Sequence, residues 1–430
     1  MNNILMLLTI LFICLRFIKI DADFPLDVSS LGMIYTDEGW YTNGAIEKVK
    51  TGSWYKPGEQ NLILNIPIIY LLQTVTFSTL GPSITSARLT IIFCFIIMLL
   101  AMFEFVRRKS NITSACVCVF LISVNYLLFA YSRFAILEIP MMCFISLSFL
   151  CAVINKKRFL ILSILFMFIA ILTKQIAVFS IPALMFLYYN RFKWCSIFAV
   201  IPLVLYLFYI SIMGGIFSEF SDYSKFQTGR IALGTIFTNF MSAINNSIAF
   251  VPFIAAGILF FMPIRSLKKD KFLLFSIVWT ACCFLFFPMT NYQPSRYFVM
   301  LIIPMCLSFS ILISNKKRII AATIIFTLLT NGLGISYYLI KSKYTFKDMC
   351  HSISAIVGDK TLYGTMANTI SLETGIKSKT KINDLKDMGY FVTLGSKEEI
   401  RNILMNYQVT TIGKCNVYNR KVDLFRINRR

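Results

Sequence analysis

The sequence predicts an all-α polytopic membrane protein, of about eleven transmembrane helices, that carries a small C-terminal α/β domain. Three observations carry that reading. Of 430 residues 57% are hydrophobic and 14% charged, with 41 Phe, and mean hydropathy is +0.72; a soluble core does not need so much apolar surface. Apolar stretches of about 16 to 23 residues recur along the first 340 positions, long enough at 1.5 Å per residue to cross roughly 30 Å of hydrocarbon. Beyond Ile340 the composition turns abruptly charged and mixed.

Lipid forces every backbone amide to find an internal partner, so the apolar stretches read as helices. The net charge of +22 raises the question of a nucleic-acid partner. The positions of the cations reject it. Basic clusters at Arg107-Arg108-Lys109, Lys156-Lys157-Arg158, Arg191 with Lys193, Arg265 to Lys271 and Lys316-Lys317-Arg318 fall between apolar stretches. They mark the cytosolic ends of helical hairpins, as the positive-inside rule expects.

With the clusters as fixed points, spans are expected at 4–20, 83–105, 114–130, 139–154, 159–173, 176–190, 194–213, 246–264, 271–288, 297–314 and 319–340. The first has no A-x-A-like cleavage site after it and reads as a membrane anchor. The N-terminus is then cytosolic and the tail lies outside. Asn61 to Leu80 is left over; counted as a crossing it would put the charges on the wrong sides, so it is expected to lie flat at the outer interface. The expected division is a transmembrane domain over 1–340, with a first outer loop at 21–82, and an extracytoplasmic α/β domain over 341–430. In the tail, Thr361 to Gly364 and Tyr390 to Leu394 read as strands, Lys397 to Tyr407 as a helix, and Thr410 to Tyr418 with Val422 to Ile427 as a terminal strand pair.

Carboxylates are scarce, 20 Asp plus Glu in the whole chain, and eight of them lie in the tail. The adjacent pair Asp37-Glu38, in the loop after the first span, is therefore the best lead to chemistry. Apart from the tail and the basic clusters, ten ionisable residues are placed at the outer face: Asp37, Glu38, Lys56, Glu59, Arg88, Arg133, Glu138, Lys174, Arg230 and Arg296. Such groups near membrane depth are costly and usually face a cavity or a partner, which implies an outward-facing pocket of mixed charge. The lone histidine, His351, rules out a multi-His metal site, and glycine spacing in the tail is not that of a phosphate loop. Most cysteines lie in or beside apolar spans as small buried hydrophobes; Cys350 and Cys415 belong to the tail, where a disulfide is an open alternative. Trp40, Trp54, Tyr41 and Tyr55 suit the membrane interface better than a stacked sugar. Asn111-Ile112-Thr113 and Asn245-Asn246-Ser247 match the glycosylation sequon, the first on the cytosolic side.

In order along the chain, Asp37-Glu38-Gly39-Trp40-Tyr41, Gly52-Ser53-Trp54-Tyr55, Pro67, Gly81 and Ala87-Arg88-Leu89 resemble the lipid-linked sugar transferases of the glycosyltransferase C superfamily. The protein O-mannosyltransferases and the bacterial aminoarabinose transferase of lipid A are the groups in view. Ser132-Arg133-Phe134-Ala135-Ile136-Leu137-Glu138-Ile139-Pro140, Leu172-Thr173-Lys174-Gln175 ahead of Pro182, and Ser295-Arg296-Tyr297 ahead of Pro304 continue the pattern. The resemblance covers about residues 1–340, each motif weak alone and the order carrying the weight.

It implies a glycosyltransferase C fold, a polyprenyl-phosphate-linked sugar as donor, and a lipid, glycan or protein acceptor at the outer face of a bacterial inner membrane. By that resemblance Asp37 is the base that takes the acceptor proton as the sugar carbon inverts. Glu38 either contacts substrate or Arg, or orients the loop. Glu138 stands where the family commonly has Asp, with an ion pair to Arg133 as its structural alternative. Lys174 and Arg296 are the expected donor-phosphate cations, with snorkelling to membrane lipids as their alternative. Tyr297, Arg88 and Lys56 join the donor set. A divalent cation, Mg²⁺ or Mn²⁺, between Asp37 and Glu138 is an open expectation. A polymerase or ligase of lipid-linked glycans is the competing enzyme, although the longest expected outer loop between spans, 214–245, is modest. A flippase or transporter is the competing class; charges at one rim and no evident repeat speak against it.

Overall fold

Helices occupy the apolar runs, and local chemistry sets where several of them begin. The structure, a computed structural model, describes the chain apart from residues 26–27, 29–30, 56–60, 155, 190–198, 217–236, 243–269, 291–292, 381, 383–384, 386–387, 394–396, 418–419 and 430. Helices α1 (Asn2–Cys14), α2 (Leu31–Thr51), α3 (Pro67–Leu80), α4 (Ile84–Lys109), α5 (Ile112–Val124), α6 (Tyr126–Tyr131), α7 (Glu138–Val153), α8 (Lys157–Thr173), α9 (Ile181–Tyr189) and α10 (Ile201–Ile216) come first. After them come α11 (Lys271–Phe284), α12 (Val299–Ile313), α13 (Lys317–Thr327) and α14 (Leu333–Ile340), then α15 (Thr345–Val357), α16 (Ala367–Thr374) and α17 (Lys397–Asn406) of the tail.

Every expected span except 246–264, which lies outside the described residues, contains a helix. Four helical stretches among the described residues are long and apolar enough to cross a membrane: Ile84–Lys109, Lys271–Met289, Ser295–Ile313 and Lys317–Val357, the last interrupted at 341–344. Caps explain several boundaries. The Asn111 side chain accepts from Ser114 N–H (2.8 Å) and opens α5, and Asp270 accepts from Phe272 and Leu273 N–H (2.9 and 3.0 Å) and opens α11. Arg107 and Arg108 in the last turn of α4 both pair with Glu104, where cations suit the helix C-terminus.

By its contacts the chain divides into two units. The first comprises Met1–Ile18, Ile92–Ser132 and Leu137–Tyr337. Within it, short polar side chains fasten apolar helices to one another: Ser148 and Ser163 each donate to the other's carbonyl at 2.8 Å, joining α7 to α8. Tyr188 adds a hydrogen bond to Ser163 Oγ, and Trp279 Nε1 donates to Ser180 Oγ. Such bonds hold helices together where lipid offers no hydrophobic drive for association.

The second unit comprises Lys19–Ile91, Arg133–Ile136 and Tyr338–Arg430, so residues 19–91 and the tail pack as one body. The tail sheet has the order β2-β1-β3-β5-β4. Strand β1 (Leu362–Tyr363) is parallel to β2 (Ser378–Lys379) and to β3 (Met388–Thr393), while β5 (Arg420–Arg429) lies antiparallel between β3 and β4 (Tyr407–Val417). Tyr363, Leu385, Phe391, Ile403, Phe425 and Ile427 form its core. The expected tail strands and the helix at 397 are all present. Strand β2, two residues without an apolar run, is an addition, as are α15 and α16.

One expectation changes. Asp37 and Glu38 lie not in a loop but on helix α2. Gly39 and Gly44 weaken the helical signal there, and packing requires them: a Cβ at Gly44 would come within 2.8 Å of the Tyr70 ring, and one at Gly39 within 2.7 Å of the Asn368 carbonyl carbon. Cys350 and Cys415 are both free thiols, Cys350 buried in α15.

Candidate functional site

In the second unit the site is built around one turn of α2. Successive helix residues point about 100° apart, so Asp37 and Glu38 face different surroundings: Asp37 is half-buried and Glu38 is 0% exposed. Both Glu38 oxygens are occupied by Arg88 of α4, Nε to Oε1 at 2.9 Å and Nη2 to Oε2 at 2.8 Å. The Ala135 N–H adds a third bond to Oε1 at 3.0 Å. Arg88 spends its remaining terminal nitrogen on the carbonyls of Ile20 (2.8 Å) and Ala22 (2.7 Å), and its guanidinium lies 3.8 Å from the Phe134 ring centroid. A planar, forked cation saturated in this way holds three separate chain segments together. Arg133 is buried beside Tyr338 and donates to the Lys19 carbonyl at 2.5 Å.

The stretch before α2 is tied to the tail. Asp23, 1% exposed, accepts from the Thr345 N–H (2.8 Å), the Thr345 hydroxyl (2.7 Å) and the Phe346 N–H (3.1 Å), capping α15 from more than 300 positions away. Burial pushes its carboxyl above the ordinary range, against the pull of those donors. Asp21 takes the Lys347 ammonium at 2.7 Å. Burial would raise its pKa, but the Lys347 hydrogen bond and charge outweigh it and the carboxyl is lowered; the same bond raises Lys347. A lowered acid adds stability above its unfolded pKa and loses it as pH falls through the folded value. A raised lysine adds stability below its unfolded pKa and loses it as pH rises through the folded one. The pair therefore supports the fold across the neutral range. Asp21→Asn is expected to lower the thermal midpoint slightly at pH 7, by the ~0–1 kcal/mol of a partly exposed pair. The difference should shrink as pH falls below the ordinary carboxylate range and through the lowered Asp21 value; a difference independent of pH would count against this account.

In the first unit a second cluster forms where helix ends meet. Glu138 is the first residue of α7, where the helix dipole favours an anion, and Lys174 caps the C-terminus of α8, where it favours a cation. Lys174 Nζ donates to Glu138 Oε1 in a short ion pair. Arg296, in the tight turn Ser295–Phe298 that leads into α12, brings Nε to 3.3 Å from the same oxygen. Tyr297 lies beneath, its ring centroid 4.3 Å from the Lys174 ammonium, and Tyr131 OH meets Ser295 Oγ at 2.5 Å. The side chains of Glu138, Lys174 and Arg296 are 1%, 12% and 7% exposed. Glu138 Oε2 is buried with no hydrogen-bond partner among the described residues.

Of the residues expected around one outward-facing pocket, the structure brings Glu138, Lys174, Arg296 and Tyr297 together. Glu138 takes Lys174 and Arg296 as its ion partners. Glu38 and Arg88 are likewise together, Arg88 turned to Glu38 and to backbone carbonyls. Lys56, Arg230 and the sequon at Asn245 lie outside the described residues. Among the described residues no three His, Cys, Asp or Glu side chains gather as a metal site. The expected Mg²⁺ or Mn²⁺ does not fit Glu138, because two cationic side chains press on that carboxylate and oppose a divalent ion. Sequence reasoning passed over Arg16, buried in the first unit with Nε on Ser132 Oγ (2.7 Å) and its guanidinium 4.0 Å from the Phe95 ring. A charge inside an apolar run was the available signal.

The same fold, with apolar helices long enough to cross a membrane, is seen in solved structures of other proteins. It matches the structure of ArnT from Cupriavidus metallidurans bound to undecaprenyl phosphate, with TM-score 0.66, 14% identity and 98% of each chain covered. It also matches the Archaeoglobus fulgidus oligosaccharyltransferase in its apo form, with TM-score 0.52, 10% identity and 87% of this chain against 64% of that one. AglB from the same organism, in complex with an inhibitory peptide and a dolichol-phosphate, aligns with TM-score 0.51 at 10% identity, again over 87% of this chain and 64% of the other. The chain thus spans less than two thirds of the oligosaccharyltransferase and nearly all of ArnT. No protein-family model and no curated protein matches the sequence.

Proposed function

We propose that the protein is an inverting glycosyltransferase that moves a sugar from a polyprenyl-phosphate donor to an acceptor hydroxyl at the extracytoplasmic face of a bacterial inner membrane. The observation that carries this reading is the buried cluster of Lys174 and Arg296 on Glu138. Among the described residues two cationic side chains gather on one buried carboxylate, a grouping suited to holding an anion, and the anion such a site takes in a lipid bilayer is a lipid phosphate. The nearly complete overlap with a protein solved on undecaprenyl phosphate supports the same ligand.

The chemistry needs little more. The acceptor oxygen attacks the anomeric carbon opposite the phosphate, the carbon–oxygen bond to phosphate breaks, and the polyprenyl phosphate departs with the bonding pair. Lys174 and Arg296 stabilise that growing charge. Asp37 receives the acceptor proton. Glu138 holds the two cations in position, Tyr297 supports Lys174, and Glu38 with Arg88 fixes the turn that bears Asp37. The tail contributes to acceptor selection.

The test is transfer of label from a panel of radiolabelled undecaprenyl- and dolichyl-phosphate sugars to envelope lipid, glycan and protein acceptors by the purified, reconstituted enzyme. At least one donor should be used, and Arg296→Ala should weaken donor use about 10- to 100-fold, as loss of a charged hydrogen bond does. A panel with no transfer to any acceptor would sink the proposal.

A further inference from the structure

We propose that Thr369, in the tail helix α16, is a positioning residue for the acidic turn of α2, so that the tail takes part in setting the proposed base as well as in choosing the acceptor. This rests on the reading of Asp37 as that base.

The geometry lies wholly within the second unit. Thr369 is 0% exposed and its hydroxyl reaches the main chain of another helix. Oγ1 accepts from the Gly39 N–H at 3.0 Å and donates to the Tyr35 carbonyl. Those two groups are four residues apart and would bond one another in a plain α-helix. One hydroxyl from the tail therefore engages both ends of the turn that holds Asp37 and Glu38. Helical Thr usually bonds back to its own helix, as Thr374 does to the Ile370 carbonyl and Thr42 to the Glu38 carbonyl. Thr369 does not follow that habit.

Three further features hold the tail helices α15 and α16 on α2. Gly39 leaves the slot that the Thr369 and Asn368 backbone fills. The Tyr35 ring stacks on Phe346 of α15, centroids 4.0 Å apart and planes within 4°. Toward the far end of α2, Lys50 Nζ donates to the Gly375 carbonyl at 3.0 Å. Packing alone would be served by Ala or Val at position 369. A hydroxyl is needed only if the backbone groups at positions 35 and 39 must be held.

The test compares Thr369→Val, which keeps the shape and removes the hydroxyl, with Thr369→Ser, which keeps the hydroxyl. Amide hydrogen exchange across residues 35–39 should quicken about fivefold or more in the Val variant, as expected for a lost hydrogen bond. Its kcat with the labelled polyprenyl-phosphate sugar should fall about 10- to 100-fold with KM for that donor within about twofold, the mark of a displaced catalytic group. Thr369→Ser should restore both readings. Should the Val variant misfold, Thr369→Ala serves with the same readouts. Wild-type exchange and kcat in the Val variant overturn the proposal, as does faster exchange with unchanged kcat while Asp37→Asn abolishes turnover. If Asp37→Asn instead leaves turnover intact, the base assignment fails, and the exchange and kcat of the Val variant still decide whether the brace exists and matters.

Discussion

Asp37→Asn lowers kcat about 10²- to 10⁴-fold, the range associated with loss of a positioned general base. The substitution keeps size and most hydrogen-bonding geometry and removes the ability to take a proton. Structural consequences should be small, because the buried load of this turn falls on Glu38, at 0% exposure, and not on the half-buried Asp37. The thermal midpoint should therefore stay near that of the wild type while turnover collapses, and donor KM should change little. Steady-state kinetics with the labelled lipid donor, alongside a thermal melt, separates the two effects. Turnover within about threefold of wild type would remove Asp37 from the chemistry.

Glu38→Ala carries the largest expected cost to the fold, about 3–5 kcal/mol, the usual price of removing one partner of a buried ion pair. Arg88, 1% exposed, would keep its charge while losing the acceptors of Nε and Nη2, and the Ala135 N–H would lose its partner as well. The double variant Glu38→Leu with Arg88→Met should recover much of the loss, because an apolar pair leaves no buried charge without a counterion. Thermal or denaturant unfolding in detergent reads both. A Glu38→Ala protein within about 1 kcal/mol of wild type would show that the pair is not buried in the way the structure describes. The contrast between neighbours is itself informative: Asp37 should alter rate without stability, and Glu38 stability before rate.

Much of this molecule is local and could be read from residue order. The span ends follow the Arg and Lys clusters, as at Arg107 to Lys109 closing α4, because charge and apolar length act within a few residues. The tail strands β3, β4 and β5 were legible from their apolar and β-branched content. Strand β2 was not, since Ser378–Lys379 has no such content and is held only by its parallel pairing with β1. The helical state of the acidic pair was hidden for a related reason. Gly39 and Gly44 lower helix propensity, and the neighbours that reward the helix, Tyr70 and the start of α16, arrive from other parts of the chain.

The roster of Glu138, Lys174, Arg296 and Tyr297 was likewise available from motif order, yet their mutual arrangement was not. Glu138 had Arg133 five positions away as an equally simple partner, and it pairs instead with Lys174 and Arg296 at the ends of other helices. Thr369 carried no signal at all, being one more polar residue of a mixed tail.

From the sequence alone came the membrane class, the helix-rich body, the small α/β tail and the short roster of ionisable residues worth attention. These rest on hydropathy, run length and charge, which each residue and its near neighbours settle. Which carboxylate is locked and which is half-open was decided only by the tertiary structure. Hydrogen bonds between positions 50, 97 and 330 residues apart determine it, and directional, short-range forces of that kind leave no periodic trace in the order of residues.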